Sequence, residues 1–149
     1  MTLMDTRGRE GEGDLTYKTL QKASSRAAEA IGREKEVVVV SHIDADGLCS
    51  AGVICTALDR RQIEHQPLFF KQLDRPALEK VADQGMNLVI FTDLGSGMQA
   101  EIAGMKLRAV IADHHRPAAA DNSSRDSILA HINPHLAGAD GATQLSGSG

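Results

Sequence analysis

The sequence predicts an α/β fold, in which an open and mainly parallel sheet is flanked by helices. Short apolar segments alternate along the chain with segments of helical periodicity, and this alternation is typical of strands joined by crossover helices. The first apolar segment, residues 37–40, consists of four valines without polar alternation. A strand that is apolar on both faces is typical of a parallel sheet covered on both sides. With 149 residues, the chain is long enough for one domain with a buried core.

The N-terminal part of the chain is predicted to be a loose segment followed by a helix. Residues 1–13 are polar and rich in glycine, which predicts a flexible, irregular segment. A helix is predicted over residues 14–32, with Asp14 as its cap and Gly32 at its end. Its apolar residues recur at spacings of three and four, as on one face of a helix: Leu20, Ala23, Ala27 and Ile31.

The remaining chain, residues 36–149, is predicted to carry the sheet. After the valine strand, the predicted elements are a helix over residues 48–61, a strand over 64–71, a helix over 74–85, a strand over 87–93, a helix over 96–105, a strand over 107–113 and a strand over 127–134. Pro67 has no backbone N–H, so its strand is predicted to be irregular or to lie at an edge of the sheet. Asp74 is predicted to cap the helix that follows.

Composition and charge exclude several classes of protein. No apolar run approaches the roughly 20 residues that span a bilayer, and the N-terminus lacks the apolar stretch of a secretory signal. The protein is therefore expected to be cytoplasmic and not bound to a membrane, with Cys49 and Cys55 as buried, reduced thiols. The net charge is −4 and no basic stripe is present, so charge alone does not indicate nucleic-acid binding. With no Trp, one Tyr and three Phe, an aromatic stacking platform is not expected.

Three of the predicted strands run into acidic segments. Residues 37–40 continue into SHIDADG, residues 88–91 into TDLGSG and residues 107–112 into DHHRP. In an open parallel sheet, ligands bind beyond the carboxyl ends of the strands, so these segments are expected to meet at one edge. The acidic and imidazole side chains that would gather there are His42, Asp44, Asp46, Asp93, Asp113, His114 and His115.

This combination of carboxylates and imidazoles favours a divalent metal ion such as Mn²⁺, Mg²⁺ or Zn²⁺. The candidate ligands outnumber what one ion needs, which predicts two ions with a carboxylate able to bridge them. Two ions about 3.5–4 Å apart can activate a water and hold the attacking and leaving oxygens of a phosphate. No serine nucleophile pattern competes with this interpretation.

Taken one at a time, these residues have simpler interpretations. Asp44 alone is better explained as a helix cap, and Asp46 as a turn residue. Those interpretations weaken together, because three strands would need unrelated reasons to end in acids. His131 and His135 have the spacing of a helical zinc pair, but the intervening Asn-Pro breaks a helix, so no metal site is expected there. Asp140, followed by glycine, is expected in a turn.

A family resemblance rests on four stretches in this order: SHIDADGLCSAG, FTDLGSG, IADHHRP and HINPHLAGADGATQLSGSG. Over residues 35–149 the chain resembles the DHH phosphoesterase superfamily, and within it the RecJ-like nucleases, especially the archaeal kind. The resemblance implies a Rossmann-like DHH domain. It also implies hydrolysis of phosphodiester or phosphoanhydride bonds with two divalent cations, commonly Mn²⁺, with Mg²⁺ as the other candidate.

The resemblance further implies which residues hold the cations. Asp44 and Asp46 match ligands of the first motif, Asp93 matches the acid that bridges the two ions, and His114 matches a ligand of the third motif. His42 is a further candidate ligand. It lies two residues before Asp44, whereas several family members have this histidine four residues before the acid.

The same resemblance implies catalytic and substrate contacts. His115 would contact the scissile phosphate or support the site, Asp113 would orient the histidines, and Arg116 would neutralise phosphate charge. The closing residues would lie beside the substrate, with backbone N–H groups toward a phosphate. These closing residues are Ser146, Gly147, Ser148 and Gly149.

The function that the resemblance implies is that of a single-strand exonuclease acting on DNA or RNA. Its partners would be single-stranded nucleic acid and replication or repair proteins. Two alternatives stay open: a phosphoesterase acting on small molecules such as short oligonucleotides, cyclic dinucleotides or pyrophosphate, and a non-catalytic scaffold with the same fold. Family members carry another acidic ligand and a second domain after the DHH motif, so the domain is expected to be incomplete at its C-terminus.

Overall fold

The computed structural model of the chain describes residues 7–119 and 126–148. Its elements in chain order are α1 (Arg7–Ile31), β1 (Glu36–His42), α2 (Ala45–Arg60), β2 (Glu64–Phe70), α3 (Arg75–Ala82), β3 (Val89–Thr92), α4 (Gln99–Gly104), β4 (Ala109–Ala112), β5 (Ile128–Ile132) and a short 3-10 helix (Pro134–Ala137). Among the described residues, no helix combines the length and the apolar character needed to cross a membrane.

The five strands form one sheet in the order β2-β1-β3-β4-β5, and every neighbouring pair is parallel. The predicted fold class is therefore confirmed. Strand β2 lies at one edge of the sheet, as the presence of Pro67 led us to predict. Proline has no backbone N–H, and at an edge this group is not needed for pairing with a further strand. Strands β1, β3 and β4 lie inside the sheet, and their carboxyl ends form a common border.

Helices cover both faces of the sheet, which explains why the first strand is apolar throughout. Val38 and Val40 pack with Leu78 of α3 on one face. Val37 and Val39 point to the other face, where α1 and α2 pack. All four valines are fully buried, so neither face of the strand has room for a polar side chain.

Helix α1 begins earlier than the sequence predicts. It starts at Arg7 rather than Asp14, so the predicted start is seven residues too late, and residues 1–6 lie outside the described part of the chain. Three glycines at positions 8, 11 and 13 each disfavour a helix by about 1 kcal/mol. Extension of an existing helix carries no nucleation penalty, and the arginines and glutamates between the glycines are good helix formers.

Side-chain caps set where two other helices begin. Asp44 accepts a hydrogen bond of 2.9 Å from the N–H of Gly47, and α2 therefore starts at Ala45, three residues before its predicted start. Asp74 accepts one of 2.9 Å from Ala77 and caps α3 as predicted. Both cysteines are free, but Cys49 is exposed and Cys55 is only partly buried, so the predicted burial is wrong for Cys49 and incomplete for Cys55.

Candidate metal centre

Acidic and imidazole side chains gather at the carboxyl ends of β1, β3 and β4. His42 ends β1 and Asp44 follows it, Asp93 follows β3, and the Asp-His-His segment follows β4. Their donor atoms form two groups, each with all its atoms within 4.8 Å of one another among the described residues. These two groups are His42–Asp44–Asp93 and Asp93–His114–His115.

Asp93 belongs to both groups and is buried, with 2% of its surface exposed. Its backbone adopts a left-handed conformation with φ of 58°, which an aspartate tolerates better than most residues. Its N–H still donates to Ala112 O at 2.9 Å, so the turn continues the pairing of β3 with β4. Among the described residues its Oδ1 has no hydrogen-bond partner. A buried carboxylate oxygen without a donor is positioned to accept a cation.

The electrostatics of Asp93 also favour a cation. Burial raises its pKa to about 6, and the nearby carboxylates of Asp46 and Asp44 add to the rise, while His115 and His114 oppose it. The ionised form is thus costly as long as only protein groups surround it. A divalent cation between these carboxylates would remove that cost, so the donor set fits such an ion.

His114 presents one ring nitrogen to this centre. Its Nδ1 donates to the carbonyl of Gly141 at 2.8 Å, since a carbonyl only accepts, and Nε2 is left 3.3 Å from Asp93 Oδ1. Burial lowers the pKa of His114, but the hydrogen bond to Gly141 and the charge of Asp93 outweigh it, so the pKa lies above its ordinary value. The backbone contact fixes the ring as a metal ligand requires.

His42 and Asp44 form the exposed side of the centre. His42 Nδ1 lies 2.9 Å from Asp44 Oδ2, and His42 Nε2 donates to Lys71 O at 3.0 Å. The hydrogen bond to Asp44 is the main reason that the pKa of His42 is raised. Asp44 also caps α2. It is therefore a helix cap, as its simpler interpretation predicted, and a candidate metal ligand as well.

Asp46 lies beside the centre, but its carboxylate is bonded to the C-terminal segment. Its Oδ2 accepts from the N–H of Gly147 at 2.8 Å, and its Oδ1 accepts from the N–H and hydroxyl of Ser148 at 2.9 and 2.7 Å. These N–H groups therefore face Asp46, whereas the family resemblance implied that they face a phosphate of the substrate. Asp46 Oδ2 lies 3.8 Å from His114 Nε2, and Ser146 Oγ contacts Ser148 Oγ at 3.2 Å. Residue 149 lies outside the described residues.

Asp113 fixes the orientation of His115. Its Oδ1 accepts from the backbone N–H of His115 at 3.1 Å and from Nδ1 at 2.7 Å, so the other ring nitrogen, Nε2, is turned away. The His115 side chain is 60% exposed, whereas the carboxylate of Asp113 is buried. The two histidine rings lie with centroids 4.4 Å apart. Arg116 is exposed next to them.

Three residues around Asp113 are not among the predicted ligands or substrate contacts. Ser96, Asn133 and His131 lie in a hydrogen-bonded cluster under His115, and His131 bonds to Ser96 there. The absence of a helix across residues 131–135 agrees with the prediction that His131 and His135 are not a helical metal pair. The only feature of the sequence that could have indicated Asn133 is its position as a polar residue before a proline at the end of a strand.

Asp140 lies in a turn as expected, and its carboxylate accepts hydrogen bonds from Ala142 and Thr143.

The contact between Gly147 and Asp93 gives a first testable prediction. A Cβ at position 147 would overlap Asp93 Oδ1, so Gly147→Ala is expected to displace this segment and break its bonds to Asp46. We expect the free energy of unfolding to fall by roughly 1–3 kcal/mol in a urea titration, with large shifts of the amide signals of residues 147 and 148. Gly97→Ala is the control, because an added Cβ there meets no atom within 4 Å. Equal stability of the two variants would contradict the contact.

An open parallel sheet with Asp and His side chains at its carboxyl edge defines an α/β domain with a candidate site for divalent cations. The sequence model of the protein family described as DHH family, N-terminal domain, matches residues 36–149. The chain therefore belongs to the DHH family. An uncharacterized protein of Methanocaldococcus jannaschii is 34% identical over 114 residues, which cover 74% of this chain and 26% of that protein. The single-stranded-DNA-specific exonuclease RecJ of Bacillus subtilis is 28% identical over 109 residues, covering 67% of this chain and 14% of that protein.

The fold is also found among solved structures. A crystal structure of exonuclease RecJ bound to manganese matches with a TM-score of 0.64 and 20% sequence identity, over 87% of this chain and 34% of that one. This likeness shows a shared fold. The chain spans about a quarter or less of the length of the curated relatives it matches.

Proposed function

We propose that this protein is a metal-dependent phosphodiesterase that acts as an exonuclease on single-stranded DNA or RNA. The observation that carries the proposal is the position of Asp93, whose buried carboxylate belongs to both groups of candidate ligands and whose Oδ1 makes no hydrogen bond to the described residues. The similarity to a relative described as a single-stranded-DNA-specific exonuclease supports the choice of substrate.

The residues divide into those that hold cations and those that face the substrate. His42, Asp44 and Asp93 would hold one divalent cation, and Asp93 with His114 the other, Mn²⁺ or Mg²⁺ in each case. Two such cations supply an activated water and neutralise the charge of a phosphate oxygen. Asp46 would join the ligands once its bonds to the C-terminal segment open.

His115 and Arg116 would meet the phosphodiester. His115 is exposed, and its Nδ1 is held by Asp113, so its Nε2 can donate to a phosphate oxygen when the ring is protonated. Arg116, the next residue, is exposed and would add a fixed positive charge. Acidic residues alone would repel a nucleic acid, so both these side chains and the bound cations are needed to receive it.

The proposal is tested by metal binding and by hydrolysis on the same samples. Calorimetric titration with Mn²⁺ is expected to show two sites, and Asp44→Asn is expected to weaken one of them by roughly 10- to 100-fold. Asp59→Asn is the matched control, because Asp59 lies on the exposed side of the same helix. No Mn²⁺ binding at millimolar concentration would contradict the proposal.

For hydrolysis, end-labelled single strands of DNA and RNA are compared with duplexes, cyclic dinucleotides and pyrophosphate. We expect Mn²⁺-dependent release of mononucleotides from single strands, and a loss of roughly 100-fold or more in Asp44→Asn. Preference for pyrophosphate or cyclic dinucleotides would instead identify a small-molecule phosphoesterase. Hydrolysis that persists in Asp44→Asn would exclude this centre as its source.

A further inference from the structure

A buried polar cluster is hydrogen-bonded to the ring and to the main chain of His115. It consists of Ser96, Asp113 and Asn133, whose exposed fractions are 0%, 4% and 1%. These residues come from the loop after β3, the end of β4 and the end of β5. Buried polar groups are costly unless they are hydrogen-bonded, and the contacts of this cluster show how each group is satisfied.

Asn133 joins this cluster to the main chain of the DHH segment. Its Nδ2 donates to the carbonyl oxygen of His115 at 2.8 Å and to Ser96 Oγ at 2.9 Å, so both amide protons are used. Its Oδ1 accepts from the N–H of His135 at 2.9 Å. The carbonyl of His115 can only accept and the N–H of His135 can only donate, so these two partners fit one orientation of the amide and fix the side chain.

Ser96 joins the same cluster to the carboxylate of Asp113. Its backbone N–H donates to Asp113 Oδ2 at 2.9 Å, and Asp113 Oδ1 accepts from Nδ1 of His115. Because Ser96 Oγ accepts from Asn133, its own proton is free to donate to His131 Nε2, 2.8 Å away. Burial lowers the pKa of His131, which agrees with a neutral ring that accepts at Nε2.

We propose that Ser96 and Asn133 are positioning residues that hold His115 in the orientation needed to contact a phosphodiester. This inference rests on the proposed function and adds two residues to it. Asn133 holds the backbone of His115, and Ser96 holds the carboxylate that fixes the tautomer and direction of its ring. Neither residue is exposed, so both act through His115 and Asp113 rather than through the substrate.

The first arm of the test measures the tautomer of His115 and does not depend on hydrolytic activity. In metal-free protein at about pH 8, the ¹⁵N signals of His115 are expected to show the proton on Nδ1. Asn133→Ala is expected to shift His115 toward a mixture of the two tautomers. Ser96→Ala keeps the backbone N–H that holds Asp113 and removes only the hydroxyl that accepts from Asn133, so a smaller shift in the same direction is expected, and the variant remains informative should Asn133→Ala fail to fold. Asn87→Ala is the control, since Asn87 is an exposed asparagine remote from the cluster.

The second arm is a double-mutant cycle in the hydrolysis assay. Asn133→Ala is expected to lower kcat by roughly 10- to 100-fold with less than about a threefold change in KM, and to have almost no further effect in a His115→Ala background. Additive effects would assign Asn133 a general structural role and overturn the proposal. An unchanged His115 tautomer in both single variants would overturn it as well. Should the protein hydrolyse none of the substrates, the proposed function fails, while the ¹⁵N arm still decides whether the cluster positions His115.

Discussion

Replacement of Asp93 by asparagine is expected to abolish the binding of divalent cations and, at the same time, to stabilise the metal-free protein above pH 6. Asp93 is shared by both candidate ligand groups, so its loss removes a ligand from each. Its burial beside two other carboxylates raises its pKa to about 6, from an ordinary value of 3.8. Asparagine has nearly the same shape and carries no charge, so it avoids the cost of ionising a buried acid.

The sign of the pH dependence follows from this shift. Between pH 3.8 and about 6 the folded state binds more protons at Asp93 than the unfolded state, so stability falls as the pH rises. The cost is absent below this window and complete above it, where it amounts to about 3 kcal/mol at most. Urea titrations with a chelator at about pH 4 and about pH 8 measure the effect in the wild type and in Asp93→Asn.

Asp113→Asn is the matched control for this experiment. Asp113 is also buried, but both of its oxygens accept hydrogen bonds, so its replacement removes stabilising contacts and is expected to destabilise the protein. A metal-free Asp93→Asn variant that is less stable than the wild type at about pH 8 would contradict the electrostatic interpretation of Asp93. Tight Mn²⁺ binding by that variant would contradict its role as the shared ligand.

Gly47→Ala is expected to lower the free energy of unfolding more than the addition of a single methyl group anywhere else in α2. A Cβ at this position would overlap the carbonyl oxygen of His42, and neither the helix nor the strand can yield without moving its backbone. The Gly47 carbonyl also accepts from Ser41 Oγ at 2.7 Å, and its N–H donates to Asp44. We expect a loss of about 3 kcal/mol or more in the free energy of unfolding, measured by urea titration.

Gly52→Ala in the same helix is the control. Position 52 is exposed, an added Cβ meets no atom within 4 Å, and alanine favours a helix by about 1 kcal/mol over glycine. The two substitutions are therefore expected to change stability in opposite directions. Similar losses in both variants would show that the close approach of α2 to β1 is not what requires Gly47.

The sequence predicts the sheet and its ligand edge because both depend on local patterns. The four valines of β1 indicate a strand that is buried on both faces. The acidic residues after three strands indicate the edge at which the carboxyl ends of the parallel strands meet. The start of α1 was missed because glycine propensity is a weak guide once a helix is already formed. The contacts of Asp46 with Gly147 and of Ser96 with Asn133 join distant parts of the chain, and no local spacing encodes them.

The all-parallel order of the strands has a consequence for kinetics. Parallel neighbours cannot be joined by a tight hairpin, so each pairing in this sheet closes a long loop before it gains any contact. The group His42–Asp44–Asp93 exists only once β1 and β3 have paired, and the group Asp93–His114–His115 only once β3 and β4 have paired. A cation can therefore bind only after these central pairings have formed. It would slow unfolding and extend the lifetime of the folded chain, while leaving the rate of folding almost unchanged.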